Sequence, residues 1–186
     1  MQIQIKDDFD LEKISVSGQC FRVRQFEDGT FRFITGEHVI YIRREGTDQF
    51  FVSCDEDNWK NIWSVYFDLG RSYGEIYRAE CDKHPFIQEA MGYGRGLRVL
   101  RQNPWEMLLT FIISQRKSIP AISKSVEMLA AKYGHCIDTG YESLRTFPTP
   151  QEMACASEDE LMECSLGYRT KYVLDALHQV LTGSLD

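Results

Sequence analysis

No apolar run in this chain approaches the ~20 residues that a membrane-crossing helix needs. The opening Met1-Gln2-Ile3-Gln4-Ile5-Lys6 has none of the regions of a secretion signal. The six cysteines (Cys20, Cys54, Cys81, Cys136, Cys155 and Cys164) include no CxxC pair, and only four histidines accompany them, which leaves no zinc or iron–sulfur signature. A GxxxxGK[ST] phosphate loop, a GxSxG elbow and an HExxH helix are missing too, so nucleotide-hydrolase, α/β-hydrolase and zincin chemistry are set aside. Positive charge is scarce: 21 Lys and Arg stand against 28 Asp and Glu, for a net charge of −7, whereas nucleic-acid-binding domains usually carry a basic surface. These absences describe a soluble, intracellular (cytoplasmic) protein with reduced structural thiols, no metal and no cofactor, expected to be monomeric.

What is present is enough for one substantial core or two small ones: 186 residues, 43% hydrophobic and 26% charged. The charge is unevenly spread. Acid gathers in Asp7-Asp8, Asp55-Glu56-Asp57 and Glu158-Asp159-Glu160, and base in Arg43-Arg44, Arg95, Arg98, Arg101, Arg116-Lys117, Arg169 and Lys171. Either a bipolar surface or an ordinary acidic enzyme fits that distribution.

The first third alternates with a period of two. Residues 21–26, 30–34, 38–43 and 49–53 read as strands, with Asp28-Gly29 and Glu45-Gly46-Thr47-Asp48 as turns and residues 2–5 as a further candidate. From about Asp57 the period becomes helical, with Trp59, Ile62, Trp63 and Tyr66 on one face. Helices are expected over 73–79, after His84-Pro85, after Pro104, after Pro120 and over 169–181. Two capping boxes, Thr149-Pro150-Gln151-Glu152 and Ser157-Glu158-Asp159-Glu160, each announce a short helix. The expected class is α+β: an antiparallel β domain with flanking helices over 1–85, then an all-α domain over 86–186.

Four segments attract attention, each with a plain alternative. Gly92-Tyr93-Gly94-Arg95-Gly96 follows a helix rather than a strand and reads as a C-terminal cap and turn, not a dinucleotide loop. In Ser17-Gly18-Gln19-Cys20-Phe21-Arg22, Gly18 is either a bulge or positive-φ residue, or a point where a flat ligand comes close to the main chain and a carbonyl meets a base edge. Ser114-Gln115-Arg116-Lys117-Ser118 is either a solvated connection or a polar finger that fills the space left by an extruded base. Gly167-Tyr168-Arg169 is either packing and a solvated first turn, or a phosphate contact.

Further short runs accompany these: residues 66–70, Leu100-Arg101-Gln102-Asn103-Pro104-Trp105-Glu106, residues 111–115, Phe147-Pro148-Thr149-Pro150 and Leu166-Gly167-Tyr168-Arg169-Thr170-Lys171-Tyr172. With Ser17 to Arg22 at their head, they occur in the order found in 8-oxoguanine DNA glycosylases, which the chain resembles over nearly its whole length. The resemblance implies a TATA-binding-protein-like β domain packed on helical domains, and base-excision repair chemistry: hydrolytic release of oxidised purine from duplex DNA with an associated lyase step. It implies that Gly18 reads the N7 proton of the oxidised guanine, that Tyr168 is a wedge beside the opposite base, and that Arg169 contacts that estranged base. Gln115, Arg116, Lys117 and Lys171 are the further expected DNA contacts.

The chain also departs from the family. Arg116-Lys117-Ser118 stand where consecutive asparagines are common, Ala121 where arginine is, and Val23 where tryptophan is. The family's helix–hairpin–helix, nucleophilic lysine and following aspartate would lie beyond Asp186, so no catalytic residue is assigned. Neither Lys117 nor Lys171 shows apolar neighbours that would lower its pKa. The competing expectation is a non-catalytic DNA- or protein-binding module derived from the family.

Overall fold

The computed structural model describes residues 1–80 and 83–185; Cys81, counted above among the thiols, lies outside them. Two compact units emerge, Met1–Phe33 with Ile40–Arg101, and Ile34–Val39 with Gln102–Asp186.

The alternating segments of the first unit form a five-stranded sheet of order β1-β5-β4-β3-β2, with β1 (Gln2–Gln4), β2 (Arg24–Gln25), β3 (Phe31–Thr35), β4 (His38–Arg44) and β5 (Gln49–Val52). Gln2 faces Phe51 and Ile42 faces Val52 in antiparallel register. Residues 21–26, expected as one strand, are strand only at Arg24–Gln25. The chain turns inward before that, burying Arg22, whose carbonyl accepts a hydrogen bond from Arg32 Nη2 at 3.2 Å. A short helix not expected from the sequence, α1 (Leu11–Val16), is capped by Asp10 and buries Leu11 and Ile14.

Trp63 and Tyr66 are buried and Trp59 and Ile62 pack against the same core, along a helix that runs from α2 (Glu56–Asn58) through a π-turn (Trp59–Trp63) into α3 (Ser64–Tyr66). Phe9, Phe33 and Tyr66 meet Phe67 edge-on at 5.1–5.2 Å, each pair contributing about 0.5–1.5 kcal/mol beyond its buried area. The Asp7 carboxylate caps α4 (Tyr73–Glu80) by accepting from Tyr73 N and Gly74 N at 2.6 and 2.9 Å. Helix α5 (Pro85–Gly94) ends in the glycine-rich run as a cap and turn. Gly96, at φ +87°, lies so near Asp10 that a Cβ would come within 2.5 Å of the Asp10 Cβ.

The second unit contains α6 (Pro104–Ser114), α7 (Ile119–Tyr133), α8 (Glu158–Glu163), a 3-10 turn (Gly167–Arg169) and α9 (Thr170–Leu181). Leu109, Ile113, Ile122, Val126, Leu129, Leu161, Leu166, Val173 and Leu177 are buried. Besides the expected helices it holds a small hairpin, β6 (Cys136–Asp138) with β7 (Ser143–Arg145). The two capping boxes fare differently. Ser157 and Glu160 start α8. Thr149 and Glu152 make the same reciprocal bonds, yet only turns follow, over residues 150–155.

Candidate nucleic-acid interface

Asn103 accepts from Glu106 N to start α6, and Pro104 suits its first turn. The helix stops at Gln115, which turns to an extended conformation (φ −55°, ψ 119°). Arg116 follows at φ +51°, a left-handed conformation that costs a non-glycine residue about 1–2 kcal/mol. Ser118 then precedes α7, so the connection is only residues 115–118. Facing it is the bend between α8 and α9, where Ser165 and Gly167 take φ +59° and +58°. Backbone held in sparsely populated regions clusters at functional sites, and two such non-glycine residues, Arg116 and Ser165, meet here.

Each segment grips the other with a cation. Arg169, only 7% exposed, donates through Nε to the Gln115 carbonyl at 3.0 Å and through Nη2 to the same oxygen, while Nη1 reaches the Leu166 carbonyl at 3.3 Å. In the opposite direction, Lys117 Nζ donates to the Ser165 carbonyl at 2.7 Å and to the hydroxyl of Ser125, a fully buried serine on α7. All the acceptors are neutral oxygens. Burial, and then the nearby Arg169 charge, push the Lys117 amine below its usual value. The expectation that Lys117 lacks a depressing environment is therefore corrected. Ser125 was not singled out from the sequence, although a serine on the Ile122, Val126, Leu129 face of α7 was the available signal.

Two side chains beside the clamp reach solvent, although the Tyr168 hydroxyl also donates to the Gln115 carbonyl at 3.5 Å. Arg116 is exposed. Tyr168 is 55% exposed, with its ring beneath the Arg169 guanidinium (4.5 Å) and edge-on to the 56%-exposed Tyr172 (6.4 Å, 88°). Tyr168, Tyr172, Lys171, Met162, Glu158 and Gly167 line one shallow concavity. Thus the structure brings together Gln115, Arg116, Lys117, Tyr168 and Arg169, with Lys171 exposed on the first turn of α9.

Gly18 belongs to the first unit. It follows the C-cap of α1, stands exposed at φ +75°, and has no atom within 4 Å of where a Cβ would be. Its conformation, not crowding, calls for glycine. The open space is what close approach of a flat ligand requires.

Among the described residues no group of three His, Cys, Asp or Glu is placed to hold a metal ion, and no helix is long and apolar enough to cross a membrane.

Comparison with known proteins follows the same division. The family model described as 8-oxoguanine DNA glycosylase, N-terminal domain, matches residues 2–108, and that of the HhH-GPD superfamily of base excision DNA repair proteins matches residues 109–181. The structure of MBOgg1 in complex with a low-affinity DNA ligand is 35% identical with a TM-score of 0.93, covering all of this chain and 64% of that one. The Clostridium acetobutylicum 8-oxoguanine glycosylase/lyase, in complex with double-stranded DNA containing cytosine opposite 8-oxoG, is 34% identical with a TM-score of 0.91, over all of this chain and 67% of that one. The N-glycosylase/DNA lyase OGG1 of Arabidopsis thaliana is 28% identical over 84% of this chain and 44% of its own length. The chain thus spans under half of that curated relative and about two thirds of the solved ones. It belongs to the 8-oxoguanine DNA glycosylase family.

Proposed function

We propose that this chain serves base-excision repair by gripping duplex DNA around an 8-oxoguanine, as the recognition part of a DNA glycosylase with associated lyase activity, and that it does so as a monomer. The observation that carries this reading is the reciprocal clamp of Lys117 and Arg169. Two neighbouring cations that among the described residues are held by neutral oxygens, with the exposed Arg116 next to Lys117 in the same loop, form a local positive field on a chain of net charge −7. Such a field attracts phosphates and steers a duplex to this face.

The clamp divides the labour among the expected contacts. Lys117 and Arg169 hold the two loops in place, while Arg116 and Tyr168 face the duplex and Lys171 lies along its backbone. Gln115 lends its carbonyl to Arg169, and its exposed side chain is left for the DNA. Extruding a nucleotide costs a few kcal/mol; a wedge ring and a cation that occupy the gap offset part of that. Gly18 admits the extruded base to the main chain, where its carbonyl accepts the proton that oxidation adds at N7. In the family's reaction a desolvated lysine attacks the sugar's anomeric carbon, and the resulting Schiff base permits strand cleavage. No residue of this interface is given that role. Lys117 has a lowered pKa, but its amino group is already committed to Ser125 and Ser165.

The test is fluorescence anisotropy of the chain with otherwise identical duplexes carrying 8-oxoG opposite cytosine or guanine opposite cytosine, alongside base release by the natural polypeptide from its source cells. Tighter binding to the damaged duplex and release of 8-oxoguanine are expected. Equal affinities, or release of alkylated purines with oxidised guanine untouched, would sink the reading.

A further inference from the structure

Gly18 is exposed, and no packing contact around an absent Cβ holds it. Glycine is also the residue with most backbone freedom to lose. A carbonyl that must meet one base edge needs something else to aim it, and the next residue supplies this. Gln19 Oε1 accepts from Leu100 N at 2.9 Å, and Nε2 donates to the Arg98 carbonyl at 2.8 Å. A side-chain amide thereby makes the pair of bonds that one strand residue makes to its neighbour. Nε2 also donates to Ser17 Oγ at 3.1 Å, and that hydroxyl donates to the Ile14 carbonyl at 2.7 Å. Residues on both sides of Gly18 are thus tied down.

The backbone that Gln19 grips is itself firmly anchored. Arg98 is fully buried and reaches the carbonyls of Asp8, Asp68 and Arg71 as well as the Asp7 carboxylate. Val99 N donates to the Tyr73 hydroxyl at 3.0 Å, and Arg101 N to the Tyr66 carbonyl at 2.8 Å. Rigidity passes from the buried Arg98, paired with the half-buried Asp7, to residues 98–101, and through one amide to a glycine.

We propose that Gln19 is the positioning residue that aims the Gly18 main chain at the damaged base; the inference rests on the lesion-reading role given to Gly18. Gln19 touches no base. It sets discrimination between oxidised and ordinary guanine without contributing to general DNA affinity.

The experiment compares Gln19→Leu, Gln19→Glu and Gly18→Ala with the unaltered chain, by anisotropy on the 8-oxoG and G duplexes across a pH series. In Gln19→Leu the preference for the damaged duplex is expected to fall about tenfold, the worth of one or two hydrogen bonds, with affinity for the undamaged duplex unchanged. Gln19→Glu separates positioning from damage to the fold. An ionised carboxylate cannot donate to the Arg98 carbonyl, whereas a protonated one donates there and accepts from Leu100 N. Discrimination in this variant is therefore expected to be poor at about pH 8 and to recover as pH falls toward the carboxylate range, while the unaltered chain shows no such recovery. Should Gln19→Leu fail to fold, Gln19→Glu at the two pH extremes carries the test alone, with nitrogen-15 relaxation of the Gly18 amide as second readout, mobile at high pH and ordered at low pH. Equal loss on both duplexes, retained discrimination, or a Gly18 amide indifferent to the Gln19 changes would overturn the proposal. The two readings fail separately. If Gly18→Ala keeps its discrimination, the lesion-reading role falls and this proposal with it. If Gly18→Ala loses discrimination and Gln19→Leu keeps it, only Gln19 is excluded. An unaltered chain without preference removes both.

Discussion

Two loops, one in each unit, hold a left-handed backbone in opposite ways. At Gly18 the conformation is reached by omitting the side chain, and the anchoring falls to neutral amide bonds from Gln19. At Arg116 the side chain is kept at φ +51°, and two cations fasten the loop. The roles proposed for the two loops account for the difference. With the main chain as the working group a side chain is dispensable, whereas an arginine that meets DNA keeps its side chain at the cost of strain. The buried arginines repeat the contrast. Arg98 meets the Asp7 carboxylate at 3.0 Å, while the bonds of Arg169 run to backbone carbonyls alone. Burial works to raise Asp7, but the amides of Gly74, Tyr73 and Asp8, together with Arg98, outweigh it and hold the carboxyl below its ordinary value. One buried charge is neutralised for stability; the other keeps its field.

The largest test of this contrast is Arg98→Met. It takes the guanidinium from the Asp7 carboxylate, which keeps the Tyr73 and Gly74 amides, and from three carbonyls, and urea unfolding is expected to show a loss of about 3–5 kcal/mol. Arg169→Met removes no ion pair among the described residues, and the Gln115 and Leu166 carbonyls keep the Tyr168 hydroxyl and the residue-169 amide as donors, so a smaller loss of about 1–3 kcal/mol is expected, together with weaker DNA binding. Equal losses in the two variants would erase the distinction.

Gly18→Ala and Arg116→Gly should move stability in opposite directions. The first puts a side chain at φ +75° and costs about 1–2 kcal/mol despite the open space around it. In the second, relief of about 1–2 kcal/mol outweighs the 0.5–1 kcal/mol of added freedom in the unfolded chain, a net gain of about 0.5 kcal/mol. The same variant should weaken DNA binding and flatten its dependence on log salt by about 0.9, the share of one phosphate contact. An unchanged salt slope would take Arg116 off the DNA.

The smallest expected effect concerns a cation of the second unit that does have carboxylates. His135 Nδ1 lies 2.9 Å from Glu152, and its Nε2 lies 3.3 Å from Glu37. The Glu152 hydrogen bond holds the imidazole above its ordinary 6.5, while the Thr149 amide, then His135, hold Glu152 below 4.5. The histidine's contribution is complete below 6.5 and lost as pH rises through its raised value. That of the carboxylate is complete above 4.5 and lost as pH falls through its lowered one, so the pair is at full strength between 4.5 and 6.5. Exposure keeps the contribution slight. The check is the imidazole titration by NMR, expected to return toward 6.5 in Glu152→Gln.

Much of this could be read from residue order. Asp28-Gly29 turned a hairpin, with Gly29 N bonding the Phe26 carbonyl, and Ser157 with Glu160 opened a helix, because turns and caps are local chemistry. Helix α1 and the β6–β7 hairpin escaped notice, since six and three residues are too few to display a period. The Thr149 box shows the limit of local signals: the reciprocal bonds formed and no helix followed. Residues 115–118 and 165–169 stood out as polar interruptions, but that Lys117 and Arg169 turn inward to each other's loops depends on contacts 48 and 54 residues apart in sequence. No periodicity encodes such pairings.

The left-handed arginine has a consequence for how this protein responds to selection. On the role proposed for Arg116, the substitution expected to make the chain hardier is the one expected to loosen its hold on DNA. Screens for heat tolerance or expression yield would therefore enrich a disarmed protein, and any such campaign needs a counter-screen on damaged duplex at every round.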